Sequence, residues 1–250
     1  MKAVVIGAGG TIGQVLMKTL KEQGHEAFAF DRTKVDIEDK EAVETYLNEF
    51  NPDIVYHLGK SSLAFTERLG AWAYQQKVAL LFTSSYKVFS GKKVTGPYSI
   101  FDSPDGTDAF AKDKIAQEKA LFDYYPYTYI VRLAWQIDKE PKANTFLGFV
   151  KDQIEKSGTF KAAKEHYISL MFIEDTAKHL IDLPKQNPPG LYHLNANEFF
   201  SIYEVLKNLQ ERQTYDWLDF NDQNPLIKDE TMENNITVKT FSDEDFKSFD

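Results

Sequence analysis

The sequence contains no cysteine. Disulfides and thiolate chemistry are therefore excluded, and a reducing compartment is permitted without being required. Basic residues are also scarce: 29 lysines and arginines stand against 38 aspartates and glutamates, for a formal net charge of -9. Broad binding to a phosphate backbone needs a basic face, so nucleic acid is not an expected partner, although a local basic pocket for a small anion is not excluded. Long apolar runs are missing as well. The opening MKAVVIGAGG has only a short one before its glycines, less than a signal peptide or a membrane span requires. The expectation is a soluble, unprocessed, cytoplasmic protein with no membrane partner. The five histidines, His25, His57, His166, His179 and His193, show no tight metal spacing. Asp175 and His179 are four apart on a helical stretch, which is more often a surface contact than a ligand set, and no metal is expected. Ser84 and Ser85 have neither a glycine elbow nor a suitably spaced histidine, which argues against hydrolase chemistry.

What is present points to an α/β protein. The 250 residues, 42% of them hydrophobic, can bury a sizeable core in one large or two small domains. AVVIG, HEAFAFD, DIVYHLG, KVALLFTSS and YTYIVRLAW read as strands, and TIGQVLMKTLKEQG, KEAVETYLNEF, SLAFTERLGAWAYQQ and the stretch opening with DAFAKDK as intervening helices. Strand–helix alternation of this kind predicts a Rossmann-type, doubly wound parallel sheet covered by helices on both sides. The second half is less regular. TFLGFVKDQIEKSG, IEDTAKHLIDL and SIYEVLKNLQER read as helices, GLYHLN as a short strand and PKQNPPG as a turn. The expected organisation is a nucleotide-binding domain over residues 1–140, its sheet completed by segments returning after 160. A small α/β substrate lobe over 141–250, interleaved with the first domain, would pack on it. The acidic FSDEDFKSFD at the end is expected to be a loosely packed tail.

Residues 7–13, GAGGTIG, follow a strand and open a helix. Gly7, Gly10 and Gly13 in that context provide a tight turn, close backbone approach and helix-terminal amides for a pyrophosphate, with Thr11 and Ile12 in the first helical turn. Asp31 ends the second strand near the distance expected for an acid that grips an adenosine ribose. Arg32 follows it and could face a 2′-phosphate. Asp favours NAD and Arg favours NADP, so the cofactor is expected to be NADP or NAD.

These residues resemble an extended short-chain dehydrogenase/reductase, and more narrowly the dTDP-4-dehydrorhamnose reductase-like, sugar-nucleotide-binding family. The resemblance covers nearly the whole chain. GAGGTIG resembles the family's GxxGxxG loop. DRTKVDIED looks like its second-strand segment, with Asp31, Asp36 and Ile37 bordering the adenosine. YHLGK resembles the loop that lines the cofactor after the third strand, here Leu58, Gly59 and Lys60. SSYKVFSG is similar to STDYVFDG, GPYSIFDSP to GPYxExDxP, RLAWQ to RTSWV, and GLYHLN with SIYE to the closing GxYHL and SxYE pattern. The implied partner is a nucleotide sugar. Ser85 would bind its carbonyl, Lys114 would hold the nicotinamide ribose, and Tyr86, Lys87, Arg132 and Trp135 would border the sugar. Lys60, Lys87, Lys92, Lys93 and Lys112 fall in segments expected near the mouth of the cleft.

Three departures from the pattern matter. The family's catalytic helix begins with tyrosine, three residues and lysine; here Phe110 takes the tyrosine position while Lys114 remains. STD has become Ser84-Ser85-Tyr86. The segment between Gly59 and Ser84 is shorter, without the asparagine that supports the lysine through water in the family. Phenylalanine has no proton to give, and general acid catalysis is worth roughly 10²–10⁴-fold. Tyr86, Lys87 and Tyr98 are candidates for a relocated acid. Two readings follow. The first is an NAD(P)H-dependent nucleotide-sugar reductase of weak or altered activity. The second is a non-catalytic cofactor-binding protein that regulates or scaffolds a partner. For the second, the resemblance includes a precedent in the regulatory beta subunit of methionine adenosyltransferase. The resemblance admits either a homodimer or a partner enzyme.

Overall fold

A computed structural model of the chain describes residues 1–91, 95–124, 126–196, 200–239 and 243–249. Lys92 and Lys93 of the expected lysine group lie outside the described residues. In chain order, the first half runs β1 (Lys2–Ile6), α1 (Thr11–Glu22), β2 (Glu26–Ala29), α2 (Lys40–Phe50), β3 (Ile54–His57), α3 (Leu63–Gln76), β4 (Ala79–Ser85), α4 (Ala109–Tyr124) and β5 (Thr128–Leu133). The second half runs β6 (Trp135–Ile137), α5 (Phe146–Ser157), β7 (Phe160–Ile168), β8 (Leu170–Phe172), α6 (Ile173–Gln186), β9 (Gly190–Leu194), β10 (Phe200–Ser201), α7 (Ile202–Glu211), β11 (Phe220–Glu230) and α8 (Asp243–Phe246).

The α/β class and the parallel sheet expected from the alternation are both present. Six strands form one sheet in the order β2-β1-β3-β4-β5-β9. β1, β3 and β5 are buried almost throughout, as strands covered on both faces by helices must be. β1 pairs in parallel with β2 on one side and β3 on the other. The chain thus reverses its direction of travel across the sheet at β1/β3, and ligands of open α/β sheets bind outside the carboxyl ends of the strands at such a point.

Two compact units divide the chain: 1–88, 106–132 and 174–192 form one, and 89–105, 133–173 and 193–250 the other. The first has a core of Val4, Ile6, Val55, Leu80, Phe82 and Ile130 from the strands, with Leu47, Leu69, Trp72 and Leu121 from the helices. The second is built on the three-stranded sheet β10-β7-β11 and on the pair β6-β8. Neither β7 nor β11 was expected. FKAAKEHYI and FNDQNPLIKDE lack a continuous apolar run, and β11 contains a proline and two register shifts against β7.

Two other expectations are corrected. PKQNPPG is not wholly a turn, because Pro184 lies inside α6, which continues to Gln186. The C-terminal segment is not a loose tail where it is described. Phe246 is fully buried and Phe249 nearly so, both in the core of the second unit with Leu170, Phe172 and Val205. Phe246 meets the ring of Phe200 at 5.6 Å, and Phe249 meets that of Phe172 at 5.4 Å. Acidic residues between the phenylalanines hid a one-turn amphipathic element, and aromatic burial outweighs the polar composition. Residues 241, 242 and 250 of that stretch lie outside the described residues.

Phe246→Ala should therefore destabilise the protein by about 3–5 kcal/mol in urea or guanidinium unfolding. A loose tail would give no measurable change.

Candidate nucleotide-binding and active site

The site begins where backbone meets backbone. Gly7 leaves β1 with φ of +89°, a conformation that side chains strain. A Cβ on Gly7 would stand 2.7 Å from the amide nitrogen of Gly59, and one on Gly13 would stand 2.1 Å from the carbonyl oxygen of Gly7. No side chain fits at either place. The loop closes on itself through the Gly10 amide, which donates to the Gly7 carbonyl at 3.0 Å. The loop after β3, with Leu58 and Gly59, is seated directly on it, and Leu58 donates its amide to Ile6.

Helix α1 then starts without a side-chain cap, its N-cap being Gly10. By contrast, α2, α3, α5 and α7 are capped by Asp39, Ser62, Thr145 and Ser201. A glycine-lined helix N-terminus without a side-chain cap suits a diphosphate. Thr11, Ile12 and Gly13 supply its first turn.

At the end of β2 the two candidate ribose residues face different partners. Asp31 Oδ1 accepts from both the amide (3.0 Å) and the hydroxyl (2.7 Å) of Thr33, and Lys34 lies 3.7 Å from Oδ2. The Thr33 hydrogen bonds hold the Asp31 carboxyl below its ordinary range. Arg32 extends instead across the loop after β3. Its guanidinium donates to the Lys60 carbonyl at 2.6 Å and lies against Gly59. Asp36 accepts from the Glu38 amide. Ile37 is partly buried against the core, and Arg68 holds its carbonyl and that of Glu38.

Lys114, on α4, extends its side chain to the C-terminal end of β4. Its Nζ donates to the Thr83 carbonyl at 3.0 Å and lies 4.4 Å from the centre of the Phe82 ring. Only 6% of the residue is exposed. Burial lowers its pKa to about 8, against the opposing pull of Asp113 and Glu118. Neither acid forms an ion pair with it: Asp113 accepts from Gln117 at 2.9 Å, and Glu118 is bound by Arg132. Phe110 lies one turn before Lys114 in α4, half-buried. Asp108 caps this helix by accepting from Ala111 at 2.9 Å. Ser85 ends β4, and its hydroxyl accepts from the Lys87 amide at 3.3 Å. Tyr86 is buried in the following turn, while Lys60, Lys87 and Lys112 are exposed.

The remaining expected residues have partners of their own. Arg132 is almost fully buried, and its Nε and Nη2 bind the carboxylate of Glu118, Nη2 at 2.7 Å. It ties β5 to α4 rather than facing solvent. Trp135 belongs to the second unit, where it packs on Phe146 and Phe149. Tyr98, also in that unit, is buried and donates its hydroxyl to the Phe89 carbonyl at 3.2 Å. Burial pushes its pKa up to about 12, which makes it a poor acid. Among the described residues no group of three or more His, Cys, Asp or Glu gathers as a metal site, and no helix is long and apolar enough to cross a membrane.

One cluster escaped the sequence reading. His57, at the end of β3, has its Nε2 2.8 Å from the Ser61 hydroxyl, which in turn is 3.0 Å from that of Thr66. Gln117 donates to the Ser61 carbonyl, and the Thr83 hydroxyl donates to the His57 carbonyl. Burial, then the nearby Lys114 charge, lowers the pKa of His57 to about 3, so the ring is neutral. The histidine in YHLGK was visible, but its partners lie on a loop and two helices that no local pattern connects.

The family model of the RmlD substrate-binding domain matches residues 1–67 and 62–231. The chain belongs to this family. The resemblance to dTDP-4-dehydrorhamnose reductases is thereby established at family level. The chain is 25% identical over 230 residues to the spore coat polysaccharide biosynthesis protein SpsK of Bacillus subtilis, covering 84% of this chain and 78% of that one. It is 24% identical over 234 residues to the dTDP-4-dehydrorhamnose reductase of Aggregatibacter actinomycetemcomitans, covering 81% and 76%. Among solved structures, the Bacillus anthracis dTDP-4-dehydrorhamnose reductase in complex with NADP superposes with a TM-score of 0.81 at 17% identity, over 99% of this chain and 96% of the other. At that identity the likeness speaks to fold.

The buried ammonium of Lys114 has a stability signature. Its folded pKa of about 8 lies below the ordinary 10.5, so the folded state disfavours the charged form. The cost is full below pH 8, shrinks as pH rises from 8 to 10.5, and vanishes above. Lys114→Met should therefore be more stable than the wild type at pH 7, by about 3 kcal/mol at most, with the gap closing toward pH 10.5 in denaturant titrations. A gap independent of pH would mean that the lysine is not held desolvated.

Proposed function

We propose that this RmlD-family protein binds a reduced nicotinamide dinucleotide, NADPH in preference to NADH, and that it binds or reduces a nucleotide sugar. The observation that carries the reading is a glycine cradle and a buried lysine, both at the carboxyl ends of the parallel strands. The amides of Thr11, Ile12 and Gly13 would hold the pyrophosphate, with Gly7 and Gly10 admitting its close approach. Asp36, Ile37, Leu58, Gly59 and Lys60 would border the adenosine and the ribose side. Lys114 would hold the nicotinamide ribose, and Ser85 the substrate carbonyl, with Tyr86 and Lys87 next to it. When bound, the nicotinamide supplies a hydride.

The preference rests on Asp31 and Arg32. The acid that would grip a ribose diol is already engaged by Thr33 and Lys34. The Arg32 guanidinium lies across Gly59, and only its contact with the Lys60 carbonyl takes up a donor among the described residues. Its remaining donors suit a 2′-phosphate through charge-assisted hydrogen bonds. Such bonds are worth about 1.5–3 kcal/mol, so calorimetric titration should show NADPH binding about 10–100-fold tighter than NADH. Arg32→Ala should erase most of that difference. Failure of both cofactors to bind would sink the reading.

Phe110 supports a second reading, a non-catalytic cofactor-binding protein that regulates or scaffolds a partner. Restoring the hydroxyl distinguishes the two. With an intact site, Phe110→Tyr should raise NADPH-dependent reduction of a 4-keto nucleotide sugar, by as much as about 10²–10⁴-fold where no other group serves as the acid. Absence of turnover by both forms, with cofactor binding retained, would favour the regulatory reading.

A further inference from the structure

The family's acid is a tyrosine, and here the candidate position holds Phe110. The group one helical turn on has an unusual setting. Lys114 is buried, yet no carboxylate among the described residues pairs with it. Among the described residues, the charged and titratable groups around it are engaged with other partners, are neutral or carry a like charge. On its own helix, Asp113 is bound to Gln117 and Glu118 to Arg132. From β3, His57 is neutral, with its Nε2 at Ser61. From the loop after β3, Lys60 adds a like charge. From β4, the Thr83 carbonyl is its one hydrogen-bond acceptor among the described residues, and the Phe82 ring lies under the ammonium. An ammonium has three N–H donors, so two remain beyond the bond to Thr83.

From this geometry we infer that Lys114 itself donates the proton to the carbonyl oxygen of the substrate, in place of a tyrosine. The inference rests on the reductase reading proposed above. The electron and proton balance is simple. As the carbonyl carbon accepts a hydride from a reduced nicotinamide, the C=O π pair moves onto oxygen. One N–H bond of Lys114 breaks and an O–H bond forms, leaving a neutral amine that water reprotonates. A desolvated ammonium without a counter-ion is a stronger acid than one in water. An acid whose pKa lies near the working pH is the more effective donor, and burial brings Lys114 to about 8. The acid form is lost as pH rises through that value, so the rate should fall with it.

Two readouts test this, one independent of turnover. In ¹³C-lysine-labelled protein, NMR titration should show a lysine that titrates near pH 8 and disappears in Lys114→Met. A Lys114 signal with an ordinary lysine titration would overturn the inference. In NADPH-dependent reduction of a 4-keto nucleotide sugar, the wild type should lose kcat above the same pH. Lys114→Arg, which keeps a cation without a titratable proton, should lose about 10²–10⁴-fold in kcat while its calorimetric affinity for NADPH changes only a few-fold. Cofactor binding without a basic limb at the NMR pKa, or with an active Lys114→Arg, would overturn the lysine assignment alone. Absence of cofactor binding would overturn the functional reading on which it stands.

Discussion

The candidate site depends on a contact between two stretches of backbone. Gly7 and Gly59 approach so closely that neither loop has room for a Cβ at Gly7, and Gly13 is pressed onto the Gly7 carbonyl in the same way. This contact joins the carboxyl ends of β1 and β3, where the winding of the sheet reverses. It sets the start of α1 and leaves the first turn of that helix without a side-chain cap. It also places Arg32, which follows β2, across the loop after β3. Sterics at two or three glycines therefore decide where amide donors and a guanidinium converge. The surrounding aliphatic core holds the strands that carry them.

The second organising feature is electrostatic. Two cations are buried on or beside α4, and they are treated in opposite ways. Arg132 has a carboxylate, Glu118, that binds it through more than one nitrogen. Lys114 has a carbonyl and an aromatic face. Removing a charge from water costs several kcal/mol unless a partner compensates. Arg132 is compensated by its carboxylate partner. Lys114 is not, and it keeps that cost as acidity. Because the arginine takes up Glu118, it contributes to the setting of the lysine without touching it. An uncompensated buried charge of this kind is more often a functional device than a stabilising one.

A hydroxyl-free Phe110 beside such a lysine fits either an altered reductase or a binding protein that kept the cofactor machinery. Both rest on the same cradle and the same ammonium. On the proposed readings they differ in whether a proton reaches the substrate oxygen, which makes the ionisation of Lys114 the property to measure.

Much of this was legible from sequence alone. Strand–helix alternation, the GAGGTIG turn and the Phe110–Lys114 spacing are local patterns, and local backbone sterics and helical periodicity impose them. The expected parallel sheet followed for the same reason. Other features depend on partners distant in the chain. β7 and β11 are polar segments whose pairing joins residues about 60 apart. Phe246 and Phe249 look like part of an acidic tail until a core receives them. The partners of the Asp31–Arg32 pair, Thr33 for the acid and the Lys60 carbonyl for the arginine, are likewise invisible in the dipeptide. The ion pair of Arg132 with Glu118 cannot be read from RLAWQ, and His57 reads as a lone histidine until Ser61, Thr66 and Gln117 surround it. The sequence by itself determined the periodic elements and the glycine turn, because those follow from interactions within a few residues. Only the tertiary structure decided which charges are compensated and which are left bare, because desolvation and pairing depend on what the fold brings together.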